Sequence, residues 1–345
     1  MLHFLEGGEG GFTVTGNLVL SGPVDILVTL GLTLPSITDA QLEDIRASAP
    51  PGSTVRVAAS LREAVPLAST ADVILGFIPR VLFDAAPRLR WVHCIASGMD
   101  SFLYPEMSAS PIVLTGEKGL VGGHLADTGF GLLLSLTRQI GCAIRLGAAS
   151  WDLRESMRKV EIELEGLTMG IVGFGGTGRA MARRAVAFGM QVLACDANDI
   201  SPSDGVEHVW SMARLDDLLR VSDVVAIGAP LTAETHHLFD DRRFATMKAG
   251  ALLVNVTRGE IVDGDALVRA LESGRLGGAA LDVAPVEPLP PEHPLWTFDN
   301  VVMTPHTAGA SQLRGPRNIR RFCDNLRRAR AGEALVGIVD KQLGY

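Results

Sequence analysis

The chain has 345 residues, of which 47% are hydrophobic and 20% are charged, so it has the composition of a globular protein and the length of about two domains. Its formal net charge of −8 at pH 7 argues against nucleic acid or an anionic membrane as the main partner. The four cysteines lie far apart and form no C-x-x-C pair, which argues against a metal site built on cysteine spacing and against a disulfide framework. We therefore expect free thiols, no bound metal and a reducing compartment.

The chain shows no targeting or membrane pattern. Its first residues lack the basic and apolar regions of a secretory signal. The longest apolar run, residues 129–137, is far shorter than the roughly 20 residues that span a bilayer. The sequence thus predicts a cytoplasmic protein.

Short apolar, β-rich runs alternate with helical patterns along nearly the whole chain. The first series of predicted strands covers residues 26–30, 55–59, 73–77, 91–95 and 112–115. The second series covers residues 168–172, 191–195, 224–228, 251–256, 278–283 and 301–304. Buried strands that alternate with helices predict parallel sheets covered on both faces, and two series predict two α/β units.

The helical patterns suggest where the two units meet in the sequence. Shorter patterns cover residues 179–188, 215–220 and 264–273, and a glycine-rich turn at 119–123 leads into a long pattern over 125–145. The turn is the predicted boundary. A last helical pattern, 311–335, is too short to be a domain and must pack on one of the units. The first 23 residues match neither series, and a hairpin and a loose arm both remain open for them.

A glycine loop follows the first strand of the second series. Gly173, Gly175 and Gly178 have the spacing G-x-G-x-x-G, with Gly176 and Thr177 inside the loop and a helical pattern after it. In such loops the glycines allow a tight turn, close approach of backbone to a pyrophosphate and close helix packing, while the helix N-terminus faces the phosphates.

An acidic residue completes the dinucleotide pattern. Asp196 ends the next strand, 18 residues after Gly178. Its carboxylate can accept hydrogen bonds from the ribose hydroxyls and would repel a 2′-phosphate, and Ala197 and Asn198 follow it rather than an arginine. These two features favour NAD over NADP, and the order of strand, loop, helix, strand and acid argues for a dinucleotide site. The alternative is a glycine turn with an unrelated surface aspartate.

Three later strands end in polar residues that form a chemically coherent set. Arg258, Glu287 and His306 follow successive predicted strands, and the carboxyl ends of parallel strands share one edge of a sheet. Each has an ordinary alternative: a surface arginine, a solvated carboxylate or a loop histidine. Together they supply a guanidinium, a carboxylate and an imidazole, which form a chemically sensible catalytic set.

On these residues and several further motifs, the chain resembles the D-isomer-specific 2-hydroxyacid dehydrogenase family over about residues 25–345. The further motifs are Ala229-Pro230-Leu231-Thr232 with Thr235, Thr257-Arg258-Gly259 with Asp263, Leu281-Asp282-Val283 with Glu287-Pro288, Leu295-Trp296, Thr304-Pro305-His306 and the tail Val339-Asp340…Gly344-Tyr345. Thr257 and Asp127 depart from the family's usual residues, a smaller one and a glutamate.

The resemblance implies an activity and a role for each site residue. The activity is NAD-dependent interconversion of a 2-keto acid and a D-2-hydroxyacid, in which Arg258 binds the substrate carboxylate and carbonyl oxygen, His306 is the general acid/base, and Glu287 orients His306. The remaining implied residues bind the substrate carboxylate (Ser97, Gly98 and Met99), hold the nicotinamide carboxamide (Val256, Thr257 and Asp282) or contact the cofactor elsewhere (Pro230 and Thr235).

The resemblance also implies an architecture. It predicts an α/β fold of two Rossmann-like, doubly wound parallel-sheet domains with a cleft between them. Residues 1–124 and 307–345 form a discontinuous substrate domain, and residues 125–306 form the NAD-binding domain. The helix that begins near Leu125 belongs to the crossover and to the contact of a homodimer.

Two other functions remain open at this point. An NAD(H)-sensing corepressor-like interaction protein has the same scaffold and can keep the same polar residues, because a fold does not determine function. Formate dehydrogenase is a relative without acid–base transfer to its substrate. Glu287 argues against it, because formate dehydrogenases characteristically have glutamine at that position.

Overall fold

The computed structural model describes residues 18–96 and 98–345 and divides into two compact units. The first unit contains the described residues up to 118 together with 312–345, and the second contains 119–311. No helix in the described ranges is long and apolar enough to cross a membrane.

The first unit is built on a five-stranded parallel sheet. Its strands are β1 (Asp25–Thr29), β2 (Thr54–Ala58), β3 (Val73–Leu75), β4 (Trp91–His93) and β5 (Val113–Thr115), in the spatial order β2-β1-β3-β4-β5. Its helices are α1 (Asp39–Ser48), α2 (Leu61–Ala68), α3 (Arg80–Asp84), α4 (Pro105–Ala109) and, from the end of the chain, α12 (Arg314–Ala331). Every pairing between these strands is parallel, as the alternation of apolar runs and helices predicts.

The C-terminal helix α12 packs on the first unit, which gives the predicted tail helix its partner. Ile319, Phe322, Cys323 and Leu326 recur at helical spacing and are buried against β1, β3 and α1. Leu20, from the segment before β1, joins this core, and its N–H donates to the carbonyl of Ala329 at 3.0 Å. The predicted N-terminal hairpin or arm falls largely on residues 1–17, which lie outside the described residues.

The second unit is built on a seven-stranded parallel sheet. Its strands are β6 (Thr168–Val172), β7 (Gln191–Asp196), β8 (Val209–Ser211), β9 (Val224–Ile227), β10 (Ala251–Asn255), β11 (Leu276–Leu281) and β12 (Val301–Met303), in the order β12-β11-β10-β9-β6-β7-β8. Its helices are α5 (Gly122–Thr137), α6 (Ile140–Leu146), α7 (Arg154–Val160), α8 (Gly176–Ala187), α9 (Leu215–Val221), α10 (Asp241–Thr246) and α11 (Gly264–Glu272). Short 3-10 helices cover Gly147–Trp151, Met212–Arg214, Gly259–Ile261 and Pro294–Thr297.

The two parallel sheets confirm the predicted α/β class, and every predicted strand is present with ends that differ by at most two residues. The single helix predicted over 125–145 is wrong. This segment forms two helices, α5 and α6, because the chain turns at Gln139, whose φ is +56°. The carbonyl of Thr137 accepts the N–H of Ile162 at 2.8 Å instead of continuing the helix. The sequence did not predict strand β8, because its three residues, two half-buried and one exposed, show no alternation of buried and exposed positions.

A buried histidine is an unusual feature of the first core. His93 ends β4 with no exposed surface, and its Nδ1 lies 2.8 Å from Oγ1 of Thr115, which also accepts from Nε1 of Trp91. Burial lowers the pKa of His93 from 6.5 to about 3; the side chain of Asn318 opposes this shift and the charge of Arg321 adds to it. The ring is therefore neutral in the folded protein at any mild pH.

This burial predicts a loss of stability in acid. Between pH 6.5 and about 3 the unfolded chain protonates His93 and the folded chain does not, so the free energy of unfolding contributed by this group falls as the pH falls. Relative to a His93→Gln variant, which cannot protonate, we expect the free energy of unfolding of the protein to fall by up to about 1.4 kcal/mol per pH unit between about pH 6 and pH 3. Urea unfolding at several pH values measures this difference. Parallel curves would contradict the prediction.

Candidate active site

The predicted site residues of the second unit lie at one edge of its sheet. Because all strands of this sheet are parallel, the segments that follow β6, β9, β10, β11 and β12 leave at the same edge. The segments are those of Gly173, Pro230, Arg258, Asp282 and His306. The fold thus gathers the predicted cofactor and catalytic segments of this unit.

The glycine loop has the compactness that its spacing predicts. Gly173 has a φ of +92°, and a Cβ on it would lie 2.4 Å from the backbone nitrogen of Ala229. A Cβ on Gly178 would lie 2.2 Å from the carbonyl oxygen of Gly173. In contrast, Gly175 is exposed and a Cβ there would meet open space. The loop is closed toward the sheet and open toward solvent, where α8 begins at Gly176 and leaves its first backbone amides for an anion.

Asp196 is bound to the glycine loop through its own carboxylate. Asp196 is only 8% exposed. Its Oδ2 accepts the N–H of Phe174 at 2.7 Å, and its Oδ1 accepts the N–H of Asn198 at 2.9 Å. Oδ1 also accepts from Nδ2 of Asn198 at 3.2 Å, whereas Oδ2 can accept a second hydrogen bond, so a ribose hydroxyl can still be bound. The loop and the acid therefore form one preorganised structure that fits a dinucleotide.

Arg258 is held by a buried asparagine that the sequence reasoning missed. Asn255 ends β10 and is 1% exposed; its Oδ1 accepts from the N–H and the hydroxyl of Thr257, both at 3.1 Å, and its Nδ2 donates to the carbonyl of Arg258 at 2.8 Å. A half-buried Arg258 follows, with one guanidinium nitrogen 2.9 Å from the carbonyl of Thr257. The sequence signal was present, because a polar residue at the end of an otherwise apolar strand must find partners.

The turn after Arg258 has no room for a side chain. A Cβ on Gly259 would lie 1.7 Å from the carbonyl oxygen of Ala284, so the two backbones are in direct contact. The N–H of Ala284 donates to Oε1 of Glu287 at 3.0 Å. The segment that carries Arg258 therefore rests on the segment that fixes the Glu287 carboxylate.

Glu287 and His306 form a hydrogen-bonded pair. Nδ1 of His306 lies 2.7 Å from Oε2 of Glu287, and the two side chains are 41% and 38% exposed. Since a carboxylate only accepts, the proton of this bond sits on Nδ1 of the ring. Nε2 is then the nitrogen that can give or take a proton elsewhere. This is the arrangement that general acid–base catalysis requires.

Asp282 holds the backbone that carries His306. It is 1% exposed, and its carboxylate accepts the hydroxyl of Thr304 at 2.6 Å and the N–H groups of Thr307 and Ala308, both at 2.9 Å. Its carbonyl accepts the N–H of His306 at 2.7 Å, where the backbone has a left-handed φ of +54°. Sequence reasoning assigned Asp282 to the cofactor and missed this supporting role.

The remaining predicted residues lie in loops after strands. Thr235 accepts the N–H of Thr232 and donates to the carbonyl of Pro230, both at 2.7 Å, which closes the loop after β9. In the first unit, Gly98 is half-buried and Met99 is 4% exposed in the loop after β4. Ser97 lies outside the described residues. In the described ranges no three histidine, cysteine or acidic side chains come together as a metal site would require.

The role of Asp282 gives a testable expectation. In an Asp282→Asn variant an amide group would face a backbone N–H, and we expect the free energy of unfolding to fall by about 1–3 kcal/mol, the cost of leaving a buried donor unpaired. Hydrogen exchange at Thr307 and Ala308 should speed up as well. Asp265→Asn, on an exposed position of α11, serves as the control and should change stability by less than about 0.5 kcal/mol. Unchanged exchange at both amides would refute the role.

Comparison with known proteins identifies the family of this chain. The family model of the D-isomer-specific 2-hydroxyacid dehydrogenase NAD-binding domain matches residues 130–308. A glyoxylate reductase of Korarchaeum cryptofilum is 37% identical over 267 residues, which are 76% of this chain and 79% of that protein. A glyoxylate/hydroxypyruvate reductase B of Citrobacter koseri is 33% identical over 280 residues, 80% of this chain and 86% of that protein.

Solved structures agree as well. The crystal structure of a D-isomer-specific 2-hydroxyacid dehydrogenase from Xanthobacter autotrophicus Py2, in complex with NADPH and MES, is similar with a TM-score of 0.75 and 27% identity. The similarity covers 94% of this chain and all of that one. The chain therefore belongs to the D-isomer-specific 2-hydroxyacid dehydrogenase family and is an NAD(P)-dependent oxidoreductase.

Proposed function

We propose that this enzyme interconverts a 2-keto acid and a D-2-hydroxyacid with NAD, and that Arg258, Glu287 and His306 carry the reaction. The observation that carries the proposal is the Glu287–His306 hydrogen bond of 2.7 Å at the edge of the sheet where the Arg258 segment also ends. In this proposal residues 125–306 bind the cofactor, and residues 1–124 and 307–345 bind the substrate. Ser97, Gly98 and Met99 supply backbone groups for the substrate carboxylate.

The proton chemistry follows from the tautomer of His306. When bound, the cofactor would supply a hydride for reduction of the carbonyl carbon and would accept one in the reverse direction. Reduction places negative charge on the carbonyl oxygen, and Nε2 of His306 donates the proton that neutralises it. Glu287 stabilises the charged ring before this transfer and keeps the proton on Nδ1 afterwards.

Arg258 is proposed to bind the two adjacent oxygen acceptors of a 2-keto acid. A planar guanidinium can donate to a carboxylate and a neighbouring carbonyl at the same time, which a lysine cannot do with one point charge. Its attraction for the carbonyl oxygen grows as negative charge develops there, so Arg258 contributes to rate as well as to affinity.

The proposal favours NAD over NADP. The Asp196 carboxylate is fixed beside the glycine loop by Phe174 and Asn198, and its negative charge opposes a 2′-phosphate. No arginine directly follows Asp196 in the sequence.

The free thiols of Cys94, Cys142, Cys195 and Cys323 support a cytoplasmic location, because a reducing compartment preserves them.

The proposal is tested by a panel of 2-keto acids that includes glyoxylate, hydroxypyruvate and phenylpyruvate, run with NADH and NADPH side by side. We expect NADH oxidation with at least one acid and a higher kcat/KM with NADH than with NADPH. Formate-dependent reduction of NAD, or NADH-dependent capture of a protein without any turnover, would support the two other functions that remained open. Silence across the panel would overturn the proposal.

Substitutions at His306 and Glu287 test the proposed roles of these two residues separately. His306→Ala should lower kcat by about 10²–10⁴-fold, the usual contribution of positioned acid–base catalysis. Glu287→Gln keeps a hydrogen bond to the ring but removes the charge that stabilises the imidazolium, so we expect a smaller loss of kcat than in His306→Ala. An His306→Ala protein with full activity would exclude the assigned role.

We further propose that the protein is a homodimer in which residues 140–162 form the contact between the two copies. None of the residues in α6, the following 3-10 helix or α7 is buried. Two of them are large and apolar: Ile144 is 75% exposed and Trp151 is 77% exposed. Short helices without a packed face are marginal in water, and exposed apolar patches of this kind mark interfaces. The family resemblance supplies the partner, a second copy of the chain.

The dimer proposal predicts that a charged residue within residues 140–162 weakens the dimer. A Trp151→Asp variant should dissociate into monomers, because a carboxylate would be buried without a partner at the interface. Light scattering behind size-exclusion chromatography measures the mass. Leu32→Asp, a substitution at an apolar residue that is 101% exposed in the first unit, is the matched control and should leave the mass unchanged. A monomeric wild-type protein would refute the proposal.

A further inference from the structure

The chain passes from the first unit to the second through residues 116–122, which we call the crossing segment. Its first residue lies against the loop proposed to bind the substrate. A Cβ on Gly116 would lie 3.2 Å from Cε of Met99 and 3.5 Å from the carbonyl oxygen of Ala96, and the N–H of Gly116 donates to the carbonyl of Gly337 at 2.8 Å. The Met99 side chain and the backbone of Ala96 and Gly337 therefore surround this glycine.

The last residue of the crossing segment lies against the cofactor loop. A Cβ on Gly122 would lie only 2.2 Å from the carbonyl oxygen of Gly176 and 3.1 Å from the nitrogen of Thr177. A Cβ on Gly176 would in turn lie 3.0 Å from Cα of Gly119. The first turn of α5 therefore touches the first turn of α8, which is the end of α8 that faces the proposed pyrophosphate site. No side chain lies in these contacts that could absorb a shift.

A buried charge fixes the segment near its start. Glu117 has no exposed surface, and its carboxylate accepts from Nε of Arg314 at 2.8 Å and from Nδ2 of Asn318. Arg314 is itself only 15% exposed. A carboxylate buried in this way is stable only with its partners in place, so Glu117 cannot move without Arg314 and the start of α12.

We propose that the crossing segment positions both binding loops, the substrate loop through Gly116 and the cofactor loop through Gly119 and Gly122, with Glu117 as its anchor. These residues touch neither substrate nor cofactor in this proposal; they act through Met99 and Gly176. The inference rests on the proposed function for the role of the substrate loop, and on the glycine loop alone for the cofactor.

The cofactor half is tested by two neighbouring glycines. Gly122→Ala must push the first turn of α8 aside, whereas a Cβ on Gly123 meets nothing within 4 Å. We expect Gly122→Ala to weaken NADH binding by about tenfold or more, because the displaced backbone amides at the start of α8 would no longer be aligned with the phosphates. Gly123→Ala should stay within about twofold of wild type. NADH fluorescence titration measures both without any substrate, and equal affinities for the two variants would overturn the proposal.

The anchor is tested against a similar ion pair elsewhere in the same unit. Glu117→Gln removes the charge that holds Arg314. Asp72→Asn removes the charge of a carboxylate that is 10% exposed and bonded to Arg88 and to the N–H of Asp25, at the opposite edge of the sheet. We expect both variants to lower the melting temperature. In Glu117→Gln alone, the NADH Kd and the KM for the keto acid should both rise by about fivefold or more.

The outcomes separate this inference from the proposed function. If wild type binds NADH but reduces no keto acid, the proposed function fails, while the Gly122 and Glu117 effects on NADH affinity still decide the inference. If Glu117→Gln only lowers the melting temperature, as Asp72→Asn does, the anchor has a purely structural role and the inference is wrong. If Gly122→Ala does not fold, NADH binding by Glu117→Gln decides it.

Discussion

The candidate active site depends on one buried carboxylate. Asp282 accepts the two backbone N–H groups that follow His306 and the hydroxyl that precedes it, so the whole turn is bonded to the end of β11. The left-handed backbone of His306 costs free energy, and these bonds offset that cost. The 2.7 Å contact with Glu287 exists only while this turn keeps its shape. The proposed acid–base chemistry therefore depends on β11 and β12 together and not on the histidine alone.

The parallel sheet explains why widely spaced residues can form one site. Strand ends at 173, 196, 258, 282 and 306 are far apart in the chain, but parallel pairing brings them to one edge. This part could be predicted from the sequence, because apolar runs locate strands and polar residues mark their ends. The glycine spacing and Asp196 likewise predict a cofactor loop, since few residue types satisfy a tight turn next to a phosphate.

Other parts could not be predicted, for physical reasons. The break between α5 and α6 arises from a bond between Thr137 and Ile162, which no local pattern reveals. The partners of Asp282 and Asn255 are backbone amides, which carry no sequence identity, so their supporting roles appear only with the fold. The sequence also cannot separate glycines that collide from glycines that do not. Gly122 and Gly123 are neighbours, yet only one lies against Gly176.

Two buried carboxylates hold the chain on either side of its return to the first unit. Asp282 binds the backbone at Thr307 and Ala308 in the second unit, and Glu117 binds Arg314 at the start of α12 in the first. Both carboxylates are almost without exposed surface, so each must keep its partners or lose them at a high cost. Only the residues from 309 to 313 lie between these two attachments. The histidine turn is thus rigid because its support lies in its own sheet, while the ion pair fixes where the chain continues. A substitution at Glu117 should consequently leave the Glu287–His306 hydrogen bond intact, which separates positioning of the binding loops from the acid–base chemistry itself.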